Sequence, residues 1–447
     1  VSIHRIPGAP ALWTVLLLAV AIMAPVAAQD DPDEEIYHLF ADPRDRAARE
    51  ATLLDMDIDN RGFTVMAFVE DSYYQPRVLV VSQDPTGRWQ ELSSFMPPAN
   101  RGKIVDLAVA VGSDLETQGN NRAFVVVQYE AVPGSQEHLE LYNGPVDTPW
   151  PRGPKGVGFA SVLPENATSP AVAADPSIAV IPRFPGNFRE YAVGITWTKR
   201  TGGPEGERGV MLTLFENEID RRFNPPVRYW SYATHAISGP SAQVPAVQGD
   251  YFGRASLTAD FNNGLWAAAL DDTQAGHITV ISGRLHGTPF KQPVGQAEVF
   301  TTPTGLHHPT LLAKDGETSL TALGRANRGG FALEWFFGVL WQPGSFIGLP
   351  TIHDTCRSKA DIAAVRGDGF VTADCRNGEG WAVHAFQGER DDPGFVMPQV
   401  WVNDLAATPG EPRVVLRPNR TAIYGWTTGN AVPYGAGPPS KALYIDP

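Results

Sequence analysis

The sequence predicts an all-β chain, a single propeller of about seven four-stranded blades, with six as the alternative count. Three observations predict it. Gly (44) and Pro (39) are abundant while charged residues make up only 19% of the 447, a balance that suits many short strands and tight turns rather than long helices. Aromatic residues reach 10%, as strand-rich chains do. Most telling is an internal repeat: a small or polar residue, an alternating apolar strand, a turn, and a second strand rich in β-branched and aromatic residues.

Seven copies can be aligned. They are Asp55–Ile58 with Phe63–Phe68, Asp106–Val109 with Ala123–Val127, Ser177–Val180 with Tyr191–Trp197, and Ser256–Ala259 with Leu265–Ala269. Thr310–Ala313 with Ser319–Leu323, Asp361–Ala364 with Phe370–Ala373, and Arg413–Leu416 with Ala422–Trp426 complete the set. The starts lie roughly 45 to 80 residues apart, most about 50, within or above the range of propeller repeats. A third strand follows several pairs, as at Arg77–Val81, Val210–Phe215, His277–Ile281, Phe331–Phe336 and Trp381–Phe386. A fourth is visible at Gln296–Thr301 and Gln399–Val402. Four antiparallel strands per unit make a propeller blade.

Before the repeats, residues 1–28 carry His4 and Arg5, an apolar run from Ala11 to Met23, and Val26-Ala27-Ala28. A charged start, a short apolar segment and small residues at the end describe a cleaved signal peptide. The run is shorter than the roughly 20 apolar residues of a spanning helix. Residues 29–447 are then the propeller domain, secreted or periplasmic, without a membrane span and acting as a monomer. The last repeat, from about residue 411 to 447, is one strand short. Strand Ile36–Phe40 is expected to complete it and close the ring, removing an exposed sheet edge. The third repeat carries long insertions, 201–208 and 221–249, the second holding Tyr229, Trp230, Tyr232 and His235. Long loops without regular structure are often functional.

The net charge of −14 and the want of a basic stripe exclude nucleic acid as a partner. Cys356 and Cys375, the two cysteines, flank the Ala360–Val365 and Gly369–Ala373 hairpin near its open end. In an exported chain they are expected to form a disulfide.

Ser82-Gln-Asp84-Pro-Thr-Gly87-Arg-Trp89 resembles the Asp-box of the sialidase-like (BNR-repeat) propellers, with one extra residue before the Gly. The resemblance implies a structural role: on the hairpin between third and fourth strands, the Asp caps the turn and the Trp packs beneath it. Gly249-Asp250-Tyr251-Phe252-Gly253 is similar to the lead-in to a blade in exported bacterial members of that family. The family's enzymes carry an Arg-Ile-Pro near the first blade, an arginine triad, a Tyr/Glu pair and an acidic Asp. Here Arg-Ile-Pro occurs at Arg5-Ile6-Pro7, inside the expected signal peptide. The resemblance therefore implies architecture without sialidase chemistry.

In a propeller the first strands of all blades start around one mouth of a central channel. The alignment places Asp55, Asp106, Ser177, Ser256, Thr310, Asp361 and Arg413 in one ring, with Asp175, Arg254, His308, Lys359 and Glu411 two residues earlier. Asp175, Arg254, His308, Lys359, Asp361, Glu411 and Arg413 are the candidate ligand-binding set, for a glycan or a protein, since mixed charge at a concave mouth suits a polar ligand. The alternative is that they cap strands along a watery channel. Asp250, Tyr251, Arg254, His308 and Arg413 are the chemistry-capable candidates: arginines can clamp a carboxylate, and a Tyr beside a carboxylate can act as a nucleophile. That would make a glycoside hydrolase; the non-catalytic binding protein is the first reading, and a structural role in the cell envelope the third. No cofactor is expected. Asp55, Asp57, Asp59 and Asn60 superficially resemble a calcium loop, but the position of its bidentate Glu is Met66. An alternating strand ending in a turn is the preferred reading there, with calcium left as the alternative.

Overall fold

The computed structural model describes residues 50–71, 76–97, 102–112, 121–130, 138–150, 160–161, 171–182, 191–201, 208–220, 227–239, 252–260, 265–272, 276–284, 296–300, 305–314, 317–325, 331–339, 347–348, 351–356, 360–365, 368–377, 380–389, 392–401, 411–427 and 443–446. The expected signal peptide and strand Ile36–Phe40 lie outside them.

The fold is all-β, built of small antiparallel, blade-like sheets. The first joins β1 (Glu50–Ile58), β2 (Thr64–Asp71), β3 (Pro76–Gln83) and β4 (Trp89–Phe95) in that order. The second joins β5 (Ile104–Gly112), β6 (Arg122–Tyr129), β7 (His138–Pro145) and β8 (Ala160–Ser161). The third holds β9 (Ala171–Pro182), β10 (Tyr191–Thr201), β11 (Arg208–Asp220) and β12 (Val227–Ala236), and the fourth β13 (Phe252–Asp260), β14 (Leu265–Asp272), β15 (His277–Arg284) and β16 (Gln296–Phe300). The seven repeat pairs fall on the first two strands of successive units, and the expected third strands lie within β3, β11, β15, β19 (Phe331–Gly338) and β24 (Gly380–Glu389).

Two features depart from the expectation. Two units merge into one nine-stranded sheet. Its path runs β17 (Leu306–Lys314), β18 (Glu317–Arg325), β19, β21 (His353–Cys356), β23 (Asp368–Asn377), β24 and β25 (Asp392–Trp401), with β20 (Ile347–Gly348) beside β19 and β22 (Asp361–Val365) beside β23. The cause is β21, a connector that pairs with both units: Leu333↔His353 on one side, Cys356↔Cys375 on the other. Cys356 and Cys375 form the disulfide, which fixes the connector to β23. The last sheet, β26 (Arg413–Leu416), β27 (Ala422–Thr427) and β28 (Leu443–Asp446), has three described strands, in line with the short last repeat. Finally, the supposed loop 221–249 contains β12, in register with β11 from Met211↔Ala236 to Asp220↔Val227. Its run of β-branched and aromatic residues favours a strand.

Each sheet buries both faces against its neighbours, so the core is divided into clusters between sheets. Val65, Val80, Val109 and Val125 pack between the first and second. Ala108, Phe124, Ile178 and Ile195 pack between the second and third, and Ile181, Leu212, Leu257 and Trp266 between the third and fourth. The same holds along the chain to the cluster of Leu54, Met56, Met66, Val415 and Ile423, which joins the last sheet to the first. Small residues let indole rings lie flat in these layers. Gly283 pairs with Trp266 across β14–β15, and a Cβ there would sit 2.5 Å from the Trp266 ring.

The first strands β1, β5, β9, β13, β17, β22 and β26 neighbour one another in chain order, and β26 also packs against β1. This arrangement positions the site.

Candidate functional site

An inner strand presents backbone amides along its edge, and a buried amide without an acceptor costs about 1–3 kcal/mol. Here the preceding sheet supplies acceptors. The Val109 and Val111 amides donate to the carboxylates of Asp55 and Asp57, both at 2.6 Å. Leu257 donates to the Ser177 hydroxyl, and Leu311 and Ala313 donate to Ser256 and Thr258, each at 3.0 Å. Thr310 donates its hydroxyl to the Ala360 carbonyl, and the Val414 amide donates to Asp361 at 2.8 Å. Arg413 of the last sheet donates through Nε to Asp55 of the first at 2.8 Å. The ring read from the alignment is thus largely a set of staples between successive repeat units, reaching from one unit to the next.

Arg413 also approaches Glu411 at 3.3 Å. Burial opposes its charge, but the carboxylates of Asp55, Glu411 and Asp361 outweigh burial and hold the guanidinium above its ordinary range. Asp59 caps the β1–β2 turn, accepting the Arg61 and Phe63 amides at 2.8 Å. The run Asp55–Asp59 is therefore strand and turn, as preferred from the sequence. Asp84 likewise accepts the Thr86 and Arg88 amides at 2.8 and 3.0 Å, with Gly87 at φ +93° and Trp89 buried. The Thr86 hydroxyl is the main influence holding the Asp84 carboxyl below its usual range. Ser82 is buried at the end of β3 and accepts from the Gln90 amide.

The inner strands enclose a cavity of about 1180 Å³. Asp175, His308, Asp361, Glu411 and Arg413 of the candidate set line it, as do all seven ring positions. The side chain of Arg254, together with Lys359, Asp250 and Tyr251, lies outside the described residues. Among the described lining residues, nine carboxylates (Asp55, Asp57, Asp59, Asp106, Glu130, Asp175, Asp260, Asp361, Glu411) face Arg413, Arg420 and His308, and none is Phe, Tyr or Trp.

The sequence did not disclose how side chains are turned into the mouth. Inner strands β1, β5, β9, β13 and β17 each shift register near their start. Leu53, Asp175 and His308 sit in these bulges at φ +52°, +54° and +53°, a region costly for residues other than Gly. A bulge re-aims side chains, and Leu53, Val105, Asp175 and His308 all line the cavity. Polar groups of the preceding sheet hold two bulges. Gln128 accepts the Asp175 amide at 3.1 Å, while buried Asp271 accepts the His308 amide at 2.9 Å and meets His307 Nδ1 at 3.3 Å. Gln128 and Asp271 were missed. No local pattern marked them, because the amides they accept lie on the next sheet.

Among the described residues, His353, Cys356 and Cys375 are the group whose donor atoms could surround a metal, but the two sulfurs are joined to each other. Also among the described residues, no helix is long and apolar enough to cross a membrane.

No family model and no curated protein matches the chain. Among solved structures it is similar to an α-L-arabinofuranosidase of Fusarium graminearum bound to an iminosugar inhibitor, at 10% identity over 76% of this chain and 94% of that one, with a TM-score of 0.46. It is also similar to an α-L-arabinanase of Penicillium chrysogenum bound to arabinobiose (10%, 76% and 94%, 0.45). A third is the intramolecular trans-sialidase of Ruminococcus gnavus (10%, 86% and 90%, 0.40).

Proposed function

We propose that this chain is an exported, seven-bladed propeller, closed where Arg413 meets Asp55, which binds a polar glycan or protein ligand at its mouth without chemical turnover. One observation carries the reading: the charged groups of the ring are engaged in holding the sheets together. Asp55, Asp57 and Asp361 accept backbone amides, and Arg413 is held by Asp55 and Glu411. A general acid or nucleophile must change its bonding during a reaction, and these groups cannot do so without releasing a neighbouring sheet. Asp175 and His308, which line the cavity from strained backbone, are the ligand contacts this reading puts to the test. Location in the periplasm or outside the cell follows from the expected signal peptide.

The test is a screen of the purified chain against aryl glycosides and a glycan array, together with Asp175→Asn and His308→Ala variants. Retention without hydrolysis that either variant weakens supports the reading. Hydrolysis of any glycoside, lost on Arg413→Lys, overturns it in favour of a glycoside hydrolase. Cell fractionation tests export, and chain confined to the cytoplasm refutes that part.

A further inference from the structure

The bulge positions differ from sheet to sheet. Leu53 and Val105 occupy them in the first two sheets, Asp175 and His308 in the third and fifth. Val105 is 40% exposed, one of three large apolar side chains so exposed among the described residues. The described bulge residues are thus of two kinds, aliphatic in the first two sheets and ionisable in the third and fifth.

Resting on the binding reading above, we infer that the occupant is a protein segment carrying a basic side chain next to an aliphatic one. Three observations converge. Carboxylates outnumber cations among the described lining residues of this concave site, a field that attracts cations, and a lysine or arginine at Asp175 would form charge-assisted hydrogen bonds. Leu53 and Val105 offer the contact for the aliphatic neighbour, removing Val105 from water. The cavity, about 1180 Å³, exceeds the roughly 300–1,000 Å³ usual for small-molecule pockets, which favours a length of chain over a small amine. A sugar fits less well, because the described lining holds no Phe, Tyr or Trp ring on which its apolar face could stack.

The experiment selects displayed random heptapeptides on the purified full chain and measures the enriched peptides by fluorescence anisotropy. Lys or Arg adjacent to Leu, Ile or Val is expected, with affinity falling as salt rises. Asp175→Asn should weaken the selected peptide about tenfold, the loss of one charge-assisted hydrogen bond, and remove discrimination against its Lys→Gln form. Val105→Ser should instead remove discrimination against the Leu→Ser form and leave the first preference intact. Near-ultraviolet circular dichroism checks that both variants fold. Selection of acidic or unrelated peptides, or equal loss of both preferences in each variant, overturns the inference. Glycan retention that these variants weaken, without peptide selection, overturns it while leaving the binding function standing. Silence in both assays overturns the two together.

Discussion

Arg413 and Asp55 are 358 positions apart yet meet at 2.8 Å, with side chains only 13% and 18% exposed. Removing Arg413 by Arg413→Met keeps the bulk of the stem and deletes the charge. Asp55 then keeps the Val109 amide but loses its cation, and Glu411 and Asp361 lose the charge that offsets them. Breaking a buried pair from one side costs about 3–5 kcal/mol, and an exposed pair about 0–1 kcal/mol. This partly buried site should fall near 3 kcal/mol. Asp55→Asn alone removes the same pairing, so the two losses should not add. The assay is urea unfolding followed by tryptophan fluorescence on both single variants and the double, with Arg88→Met as an exposed control. A coupling energy of about 1–3 kcal/mol is expected. Coupling below about 0.5 kcal/mol, or an Arg413→Met loss no larger than that of the control, would refute the reasoning that this pair joins the last sheet to the first.

The other predictions concern the joints and the layers. Ser256→Ala strands the buried Leu311 amide and should cost about 1–2 kcal/mol, with faster hydrogen exchange at Leu311 as the direct readout. Replacing Cys356 and Cys375 together by Ser should cost about 3 kcal/mol for a closure spanning 19 residues, measured by urea unfolding under non-reducing conditions. Gly283→Val presses a branched side chain into the Trp266 ring and should cost at least about 1–3 kcal/mol, visible as a lowered thermal midpoint and a shifted tryptophan emission. Burial, with His353 beside it, depresses the pKa of His384 to about 4. The unfolded chain takes up this proton near pH 6.5 and the folded chain does not, so stability present above pH 6.5 is lost as pH falls towards 4. The loss is about 2–3 kcal/mol, and His384→Phe should flatten that part of the stability–pH curve.

Much of the architecture was legible because a strand sandwiched between sheets reads as a short apolar run bounded by turn residues: Thr64–Phe68 and Ala123–Val127 could be placed from sequence and lie in β2 and β6. The ring of seven positions was legible for the same reason, since equivalent places in a repeat converge in space. Its chemistry was not. Whether Asp55 faces a ligand or a neighbouring amide depends on the edge of β5, about fifty residues on, and no local pattern reports that. The bulges at Leu53, Asp175 and His308 are held partly from the sheet before, by Gln128 and Asp271 for two of them. β21 escaped because His-Asp-Thr-Cys has no alternation to read; its place is set by two partners and a disulfide. β12 was legible and was missed, its aromatic residues taken for a loop.

The staples described above all run in one sense around the molecule. Order is therefore carried by neighbour relations, not by where the polymer happens to start. Circular permutants opened between β8 and β9, or between β12 and β13, should assemble once the native termini are joined by a flexible tether. One opened between β19 and β23 should not, because there two units share a single hydrogen-bonded sheet and a covalent clasp.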